Sequence, residues 1–503
     1  MKNKIINIII LISAIIITVL FHNQSLGINL FIFEIAFFTW LMISKQIKLK
    51  GKNLKIGTSG FLLTSVFTIL THSIFSFFMH FLALFIFIGL LIYPEVKSYI
   101  NSILISLTSL FNSQIQFFKN LSNSKLSGYN IGVVLWKSRI FILPLVVIFI
   151  FILIYCSSNP IFNKLAISIG TWIQEAFDSI FKNFDFSIVL TFIIGLFISN
   201  YLFLRISNQH IIKADLNSSD ELMRFKKKFQ KYFSLIVLKN EYRSAVFLLM
   251  VLNVVLFVLN VLDIKWVWFN FEWEGQYLRQ FVHEGTYLLI ISILISMALV
   301  LFFFRKNLNF YRNNKLLKYL SYVWLAQNGI LVISVAIRNF WYIHYFSLAY
   351  KRIGVIIFLI LTIYGLYTIL IKVRRKKSVF YLLRSNAFAL YLVLILSSII
   401  NWDTMIAKYN FNHANKSFVH LNYLSTLSDK TLPYLDKSMA ELSFIDETQK
   451  KKFPFERKFM SPEQYHQVIE DRKIAFKQRW ESQSILSWNL PEYLAYQKLF
   501  GKN

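Results

Sequence analysis

Long apolar runs alternate with short polar segments along this chain, and no other feature constrains its fold as strongly. A helix needs about 20 mostly apolar residues to cross a hydrocarbon core about 30 Å thick. Eleven runs approach this length, and only 16% of the residues are charged. We therefore predict an all-α, polytopic transmembrane helix bundle of about 11 spans. The predicted spans are Ile5–Leu20, Ile28–Ile43, Thr58–Thr71, Phe75–Tyr93, Ile140–Tyr155, Ile188–Leu204, Ala245–Leu262, Thr286–Phe304, Leu320–Ile337, Ile353–Ile371 and Ala387–Ile400.

Basic residues are concentrated in alternate connections between these runs. With the N-terminus placed inside, the inner segments carry 32 Lys+Arg and 5 Asp+Glu, whereas the short outer segments carry 7 of each. This asymmetry is the positive-inside pattern. Contact with anionic lipid head groups at the inner face explains most of the net charge of +29, so no nucleic-acid partner is expected. We expect a multi-pass protein of a cytoplasmic (inner) membrane, with a cytoplasmic N-terminus and an extracytoplasmic C-terminus.

The chain divides into two regions near residue 400. Residues 1–400 are predicted to form the bundle, with amphipathic helices at Ser98–Leu121 along the inner interface and Phe162–Ile180 along the outer one. Residues 401–503 contain no run of spanning length and are predicted to form a small helical extracytoplasmic region. Its helices are expected at Asp403–Tyr409, Asn422–Ser428, Tyr434–Leu442, Pro462–Gln483 and Pro491–Leu499, with Ser461 and Pro462 as a capped helix start.

Two properties of the first half of the chain bear on its processing and redox state. The first apolar run follows a basic Met1–Lys4 segment and precedes Ser25-Leu-Gly, so it is either a spanning helix or a cleaved signal peptide. Cys156 is the single cysteine, so no disulfide can form within the chain.

Ionisable and aromatic side chains cluster in two of the predicted outer loops. Glu284 lies at the N-terminal end of the eighth run, where a carboxylate is favoured by the helix dipole, and it could pair with a cation of the next outer loop. Such a cluster is either a structural ion-pair and aromatic belt or a ligand site. The candidate outer-face residues are His283, Glu284, Arg338, Tyr350, Lys351 and Arg352.

Polar side chains inside the runs define a second candidate site. Glu34 lies in the middle of the second run, where a charge is costly unless it is paired or neutralised. Gln327 and Asn328 lie in the ninth run and suit hydrogen bonds between helices. Histidines are more numerous on the outer side, but no pair has the HxxH, HxxxH or HExxH spacing of metal ligands. We therefore predict no metal and no cofactor.

Four stretches, in order, carry a resemblance to a known family. They are WKSRIFILPLVVIFIFILIY, HEGTYLLI, LAYKRIGV and NWDTMIAKYN. Together they resemble a family of bacterial multi-spanning inner-membrane proteins that is catalogued only as a domain of unknown function. The resemblance covers about Trp136 to Tyr434 and implies a bacterial cytoplasmic membrane location without an established activity. It also directs attention to the residues in the matching stretches, namely His283, Glu284, Tyr350, Lys351, Arg352, Asn401, Asp403 and Tyr409.

Three functions fit these features. The leading hypothesis is a non-enzymatic envelope component or sensor, because polar and aromatic residues are concentrated at the outer face without catalytic spacing. The second is a transporter with Glu34, Gln327 and Asn328 along a central path, although few glycines or prolines break the spans. The third is a membrane enzyme that acts on a lipophilic substrate at the outer leaflet, with His283 and Glu284 as acid and base.

Overall fold

The structure is a computed structural model, and it describes most of the chain. Its backbone is described for residues 2–501 except 48, 50, 123–124, 127–128, 181–184, 225–234, 270–274, 306 and 454–459. Side chains are described for the same residues except 2–4, 122–143, 146, 173–180, 235–236, 275–284 and 307.

The described part of residues 1–400 is a bundle of long helices. In chain order they are α1 (Lys2–Phe21), α2 (Ile28–Ile43), α3 (Lys52–Thr71), α4 (Ile74–Ile92), α5 (Tyr99–Ser122), α6 (Ile131–Ser158), α7 (Pro160–Ile180), α8 (Phe186–Leu204), α9 (Gln209–Asn217), α10 (Leu235–Asp263), α11 (Gly275–Phe303), α12 (Lys315–Phe346), α13 (Tyr350–Arg375) and α14 (Val379–Ser398). The strands β1 (Lys125–Leu126) and β2 (Tyr129–Asn130) form one short antiparallel pair, a π-helix spans Ile264–Phe269, and a 3-10 helix spans Asn307–Phe310.

Each predicted apolar run coincides with one of these helices. Among the described residues, eight helices have the length and apolar composition needed to cross a membrane. Three shorter apolar stretches, Ile5–Phe21, Ile28–Ile43 and Val147–Ser158, fall in α1, α2 and α6. The prediction of an all-α, multi-pass membrane bundle is confirmed.

The membrane helices pack as two groups. In the N-terminal group, α1 to α5 and α8 share a core that includes Ile10, Phe37 and Phe87. In the C-terminal group, α10 to α14 share a core that includes Leu249 and Leu331. Helix α14 also joins the two groups, because its far end packs on α3 and α4. There the ring of Tyr391 lies so close to Gly60 that no Cβ would fit.

Helix α5 packs on the N-terminal group through its small polar side chains. Ser102, Ser106, Ser109 and Ser113 are buried, and the Ser102 hydroxyl donates to the Ile86 carbonyl of α4 at 2.8 Å. The predicted amphipathic helix is therefore present, with its serine face against protein and its apolar face exposed. Small residues on one face allow such close approach between helices.

Connections between helices meet at two opposite ends of the bundle. At the tail end, residues 22–27, 72–73, 347–349 and 399–401 meet the C-terminal region. The Ile28 amide, for example, donates to the Trp488 carbonyl at 3.0 Å. At the basic end, residues 44–47, 93–98, 205–222, 307–314 and 376–378 meet one another. The Lys97 ammonium, for example, donates to the Leu216 carbonyl at 2.9 Å.

The C-terminal region forms a helical layer over the tail end. Its helices are α15 (Trp402–Asn412), α16 (Leu421–Leu424), α17 (Leu432–Leu435), α18 (Met439–Lys452), α19 (Pro462–Ser482) and α20 (Leu490–Phe500), with 3-10 turns at Asp429–Thr431 and Ile485–Ser487. Ser461 caps α19 and Pro462 occupies its first turn, which confirms the predicted start. The predicted helix Tyr434–Leu442 is wrong, because Ser438 and Glu441 form a capping box that starts α18 there.

Candidate functional site

Arg338, one of the predicted outer-face residues, belongs to a buried ion pair between α10 and α12. Its Nη2 lies 2.6 Å from Asp263 Oδ1. The other oxygen of Asp263 accepts the Ser334 hydroxyl at 2.6 Å, and Trp268 donates its indole N–H to Ser334. Arg338 is only 5% exposed. Glu284 was a candidate partner for a cation of this loop, and the side chains of His283 and Glu284 lie outside the described residues. Asp263 ends an apolar run, but nothing local in the sequence pairs it with Arg338.

Tyr350 joins the membrane helices to the C-terminal region. Its hydroxyl donates to Asp403 Oδ1 at 2.6 Å, and the Ser428 hydroxyl donates to Asp403 Oδ2 at 2.5 Å. Lys430 lies 3.6 Å from the same carboxylate, and its ammonium donates to the Thr71 carbonyl at the end of α3 at 2.7 Å. Burial lowers the pKa of Lys430, and the charge of Asp403 opposes this shift. These contacts fix the C-terminal region on both helix groups.

The remaining predicted outer-face cations do not meet in one pocket. Lys351 is exposed. Arg352 is buried, and its guanidinium carbon lies 3.4 Å from the centre of the Tyr342 ring, a cation–π contact. The Arg352 carbonyl accepts a hydrogen bond from the Asn339 amide at 3.2 Å. Arg338, Tyr350 and Arg352 therefore take part in three separate contacts near the tail end.

Glu34 is the centre of a hydrogen-bond network inside the N-terminal group. Its Oε1 lies 2.6 Å from His80 Nε2 on α4, and its Oε2 accepts the Ser65 hydroxyl of α3 at 2.5 Å. The other ring nitrogen of His80 lies 3.2 Å from Thr64 Oγ1. Glu34 is 4% exposed and His80 is fully buried. A carboxylate in a membrane span thus has an imidazole and a hydroxyl as partners, as its burial requires.

The Thr64 hydroxyl bears on whether His80 Nδ1 donates or accepts a hydrogen bond. This hydroxyl has one proton, and it lies 2.8 Å from the Gly60 carbonyl, to which it can donate. Its oxygen then accepts a hydrogen bond from His80 Nδ1. The proton between His80 Nε2 and Glu34 Oε1 then lies either on the ring, beside a carboxylate, or on the carboxyl group, beside a neutral ring. If the hydroxyl instead donates to Nδ1, the ring is neutral.

An apolar cavity of about 250 Å³ borders Glu34. It lies between α1, α2, α3, α4 and α8, and Phe33, Phe61, Leu84 and Ile198 contribute to its wall. Its lining is apolar except for Glu34 and Thr191. The cavity suits a lipophilic molecule or an acyl chain.

The side chains of Gln327 and Asn328 form hydrogen bonds within the C-terminal group. The Gln327 side-chain amide donates to Asn253 Oδ1 of α10 at 2.8 Å, and the Gln327 backbone carbonyl accepts a hydrogen bond from the Asn260 side-chain amide at 3.2 Å. The Asn328 amide donates to the Trp324 carbonyl of its own helix at 2.8 Å. No hydrogen bond among the described residues links either side chain to Glu34. The two parts of the predicted intramembrane site therefore lie in different helix groups.

A polar cavity at the tail end, which we call the tail-end cavity, was not predicted from the sequence. It encloses about 390 Å³, and the membrane part and the C-terminal region both line it. His72, Arg479 and Glu492 contribute ionisable groups. The rest of the wall is polar, made of Asn23, Gln24, Ser25, Ser482, Gln483, Ser484 and Ser487.

The charged groups of the tail-end cavity pair with one another, but the imidazole does not. Arg479 Nη2 lies 2.7 Å from Glu492 Oε1, and its Nη1 lies 3.2 Å from Asp429 Oδ2. The Nδ1 atom of His72 is buried without a hydrogen-bond partner among the described residues. Burial lowers the pKa of His72, while the charge of Glu492 raises it and that of Lys430 lowers it further. A neutral imidazole has one nitrogen that accepts a hydrogen bond and one that donates.

His72 is held in place by the connection between α3 and α4. Its backbone adopts a left-handed conformation, with φ of 41°, and its amide still donates to the Thr68 carbonyl. Ser73 then caps α4 through a capping box with Ser76. This connection has only two residues, so the imidazole is fixed at the tail end. An excess of histidines in the predicted outer segments was the available sequence signal for this site.

Comparison with known proteins identifies the family of the chain but gives no activity. Residues 6–438 match a family described as a domain of unknown function (DUF4153). The match begins well before Trp136, where the resemblance was expected to begin, and so includes the helices that hold Glu34 and His80. No curated protein and no solved structure matches the chain. Because the match covers most of its 503 residues, the chain belongs to this family of unknown function.

Proposed function

We propose that the protein is a non-enzymatic envelope component or sensor of a bacterial cytoplasmic membrane that binds a small polar molecule in the tail-end cavity. The main support is the composition of the cavity wall, in which hydroxyls and amides predominate. Its guanidinium and its carboxylate, Arg479 and Glu492, neutralise each other at 2.7 Å. Such a wall suits a neutral or zwitterionic ligand better than a strongly charged one.

The cavity also offers a way to sense its ligand. Gln24 and Ser25 stand on the membrane side of the cavity, and both already bind Ser487 of the C-terminal region at 3.0 Å. A ligand that contacts both sides would favour the docked arrangement, since it binds that arrangement better than a separated one. Occupancy of the cavity would thereby be coupled to the docking of residues 401–500.

In this proposal the tail end faces the outside of the membrane. The support is the charge pattern, with 32 Lys+Arg against 5 Asp+Glu in the inner segments. In a Cys156→Ser background, Lys351→Cys and Ala440→Cys should react with an impermeant maleimide in intact cells, because both positions are exposed at the tail end. Met223→Cys, exposed at the basic end, should react only after permeabilisation. The opposite pattern would contradict the orientation.

A ligand panel with a cavity-blocking variant tests the binding site. Neutral sugars and zwitterionic amino acids are added to the purified protein, and a binder should raise its melting temperature with concentration. Ser482→Trp places an indole in the cavity wall and should abolish the rise. Ile485→Trp is the matched control, because Ile485 is exposed nearby and does not line the cavity. A rise that persists in Ser482→Trp, or no rise with any compound, would contradict the proposal.

The Glu34–His80 couple supports a second candidate function, proton-coupled movement of a lipophilic solute. It places a titratable pair inside membrane helices and beside the apolar cavity. Reconstituted in liposomes with an internal pH dye, the wild-type protein should then carry protons when a lipophilic solute gradient is applied. Glu34→Gln should abolish this flux, while Glu447→Gln, an exposed control in α18, should keep it. Equal flux in both variants would exclude this candidate.

A further inference from the structure

A second polar pocket lies at the basic end, at the junction of the two helix groups. It encloses about 240 Å³ between the start of α3, the connection from α4 to α5, and helices α13 and α14. Three of its lining residues, Lys52, Lys97 and Arg384, are cations, and none is a carboxylate. Aromatic side chains, including Tyr364 and Phe388, line the part that extends between the helices. We call it the junction pocket.

The three cations of the junction pocket are only partly neutralised. The Lys97 ammonium donates to the carbonyls of Leu216 and Ser218, both at 2.9 Å, so it is held in place without a carboxylate. Arg384 pairs through Nη2 with Asp220 at 2.5 Å, and its Nε is buried without a hydrogen-bond partner among the described residues. Lys52 is exposed and has no ion pair in the described part of the chain.

Tyr99 contributes a buried side chain to the wall of this pocket. Its side chain lines the pocket, the residue is only 3% exposed, and its hydroxyl has no hydrogen-bond partner among the described residues. The Tyr99 ring packs on Phe388 and Tyr391 of α14, which keeps it in place. A buried hydroxyl without a partner is costly, and a ligand oxygen would satisfy it.

We propose that the junction pocket binds the phosphate head group of an anionic phospholipid from the leaflet at the basic end. Lysine and arginine side chains bind phosphate oxygens, and basic pockets between membrane helices bind anionic head groups. The aromatic side, deeper along α13 and α14, provides apolar surface for the glycerol and the first part of the acyl chains. A free phosphate would use the cations but gain nothing from that apolar surface, so a lipid fits the whole pocket.

The position of the pocket gives the bound lipid a structural role. The lipid would contact α3 and α5 of the N-terminal group together with α13 and α14 of the other group. Near the pocket these groups are also joined by residues 209–222, through the pair of Lys377 with Glu221 and the Ser378 amide, which donates to the Asp220 carbonyl at 2.8 Å. An anionic lipid there would hold the two groups together, and its loss would loosen the junction.

Thermal unfolding of the full-length protein in neutral detergent tests this proposal. Dioctanoyl phosphatidylglycerol should raise the melting temperature, while dioctanoyl phosphatidylcholine at the same concentration should have little effect. In Lys52→Glu the half-maximal concentration of phosphatidylglycerol should rise by roughly tenfold, since each cation near anionic lipid strengthens binding. Lys55→Glu makes the same charge change one turn along α3 at an exposed residue outside the pocket, and it should respond like the wild type.

A steric variant checks the site without changing its charge. Ser385→Trp would fill the pocket and should remove the response, whereas Leu383→Trp, exposed on the same helix and outside the lining, should keep it. Equal stabilisation by the two lipids would overturn the proposal, and so would equal responses of Lys52→Glu and Lys55→Glu. If inorganic phosphate alone reproduces the stabilisation, the ligand is a soluble phosphate and the lipid assignment is wrong.

Discussion

Glu34 and Asp263 lie in different helix groups and have similar partners. They differ in one partner, which is the His80 imidazole for Glu34 and the Arg338 guanidinium for Asp263. Each carboxylate is buried, and each accepts one serine hydroxyl, from Ser65 at 2.5 Å and from Ser334 at 2.6 Å. The second oxygen of Asp263 lies 2.6 Å from a guanidinium, whereas that of Glu34 lies 2.6 Å from the His80 imidazole.

This difference separates a fixed ion pair from one that can change protonation. A guanidinium remains charged in proteins, so Arg338 always requires an anionic partner in its buried position. An imidazole can be neutral and still donate one hydrogen bond, so the site of Glu34 tolerates a neutral partner. The two sites should therefore respond differently to the same chemical change, although their geometries are similar.

The largest effect is expected when the aspartate is removed. Asp263→Ala takes away the carboxylate beside a buried guanidinium, and the loss of one partner of such a pair typically costs about 3–5 kcal/mol. Reversible unfolding in mixed detergent micelles should show a loss of this size relative to Asp471→Ala, a control at an exposed carboxylate. A loss below about 1 kcal/mol would mean that Asp263 contributes little to holding Arg338.

A smaller effect is expected when the glutamate is made neutral. In Glu34→Gln the amide oxygen can still accept from the His80 ring, so we expect a loss of about 1–2 kcal/mol, the cost of weakening one charged hydrogen bond. Asp263→Asn makes the matching change beside Arg338 and should cost clearly more in the same unfolding assay. Equal losses in the two variants would show that His80 and Arg338 respond alike to the loss of the carboxylate charge.

The serine hydroxyls provide a smaller, matched test. Ser65→Ala and Ser334→Ala each remove one hydrogen bond to a buried carboxylate, and each should cost about 1.5 kcal/mol. Ser334→Ala should cost slightly more, because the Trp268 indole, 3.2 Å away, also loses its acceptor. If Ser65→Ala has no effect on unfolding, then Glu34 depends on His80 alone.

The sequence predicted the helices better than the contacts between them. Apolar runs identify spans because lipid requires an apolar surface of a fixed length, and Glu34 was identified as buried for the same reason. Its partners could not be predicted. Ser65 and His80 lie on two other helices, and apolar runs such as these do not fix how each helix is rotated. Asp263 was missed for a similar reason, since its arginine lies 75 residues further along the chain.

Local sequence signals also gave a wrong helix boundary in the C-terminal region, where a helix pattern overlaps a capping box. One helix was predicted from Tyr434 to Leu442. In the structure α17 stops at Leu435, and the capping box of Ser438 and Glu441 starts a new helix that continues to Lys452. The tail-end cavity was not predicted because its walls come from segments more than 400 residues apart, such as Ser25 and Ser487.

His72 extends the comparison to an imidazole that has no carboxylate within hydrogen-bond distance in the described part of the chain. Burial lowers its pKa below the ordinary value of 6.5, while Glu492 opposes this shift and Lys430 and Arg479 add to it. The unfolded chain therefore binds more protons than the folded one as the pH falls below 6.5, so acid should weaken the fold. Between pH 8 and pH 5.5 the melting temperature of the wild type should fall more than that of His72→Gln, whose amide does not titrate. His466→Gln, a change in α19 outside the cavity lining, is the control and should follow the wild type. If His72→Gln also follows the wild type, the acid sensitivity arises elsewhere and His72 does not report the state of the cavity.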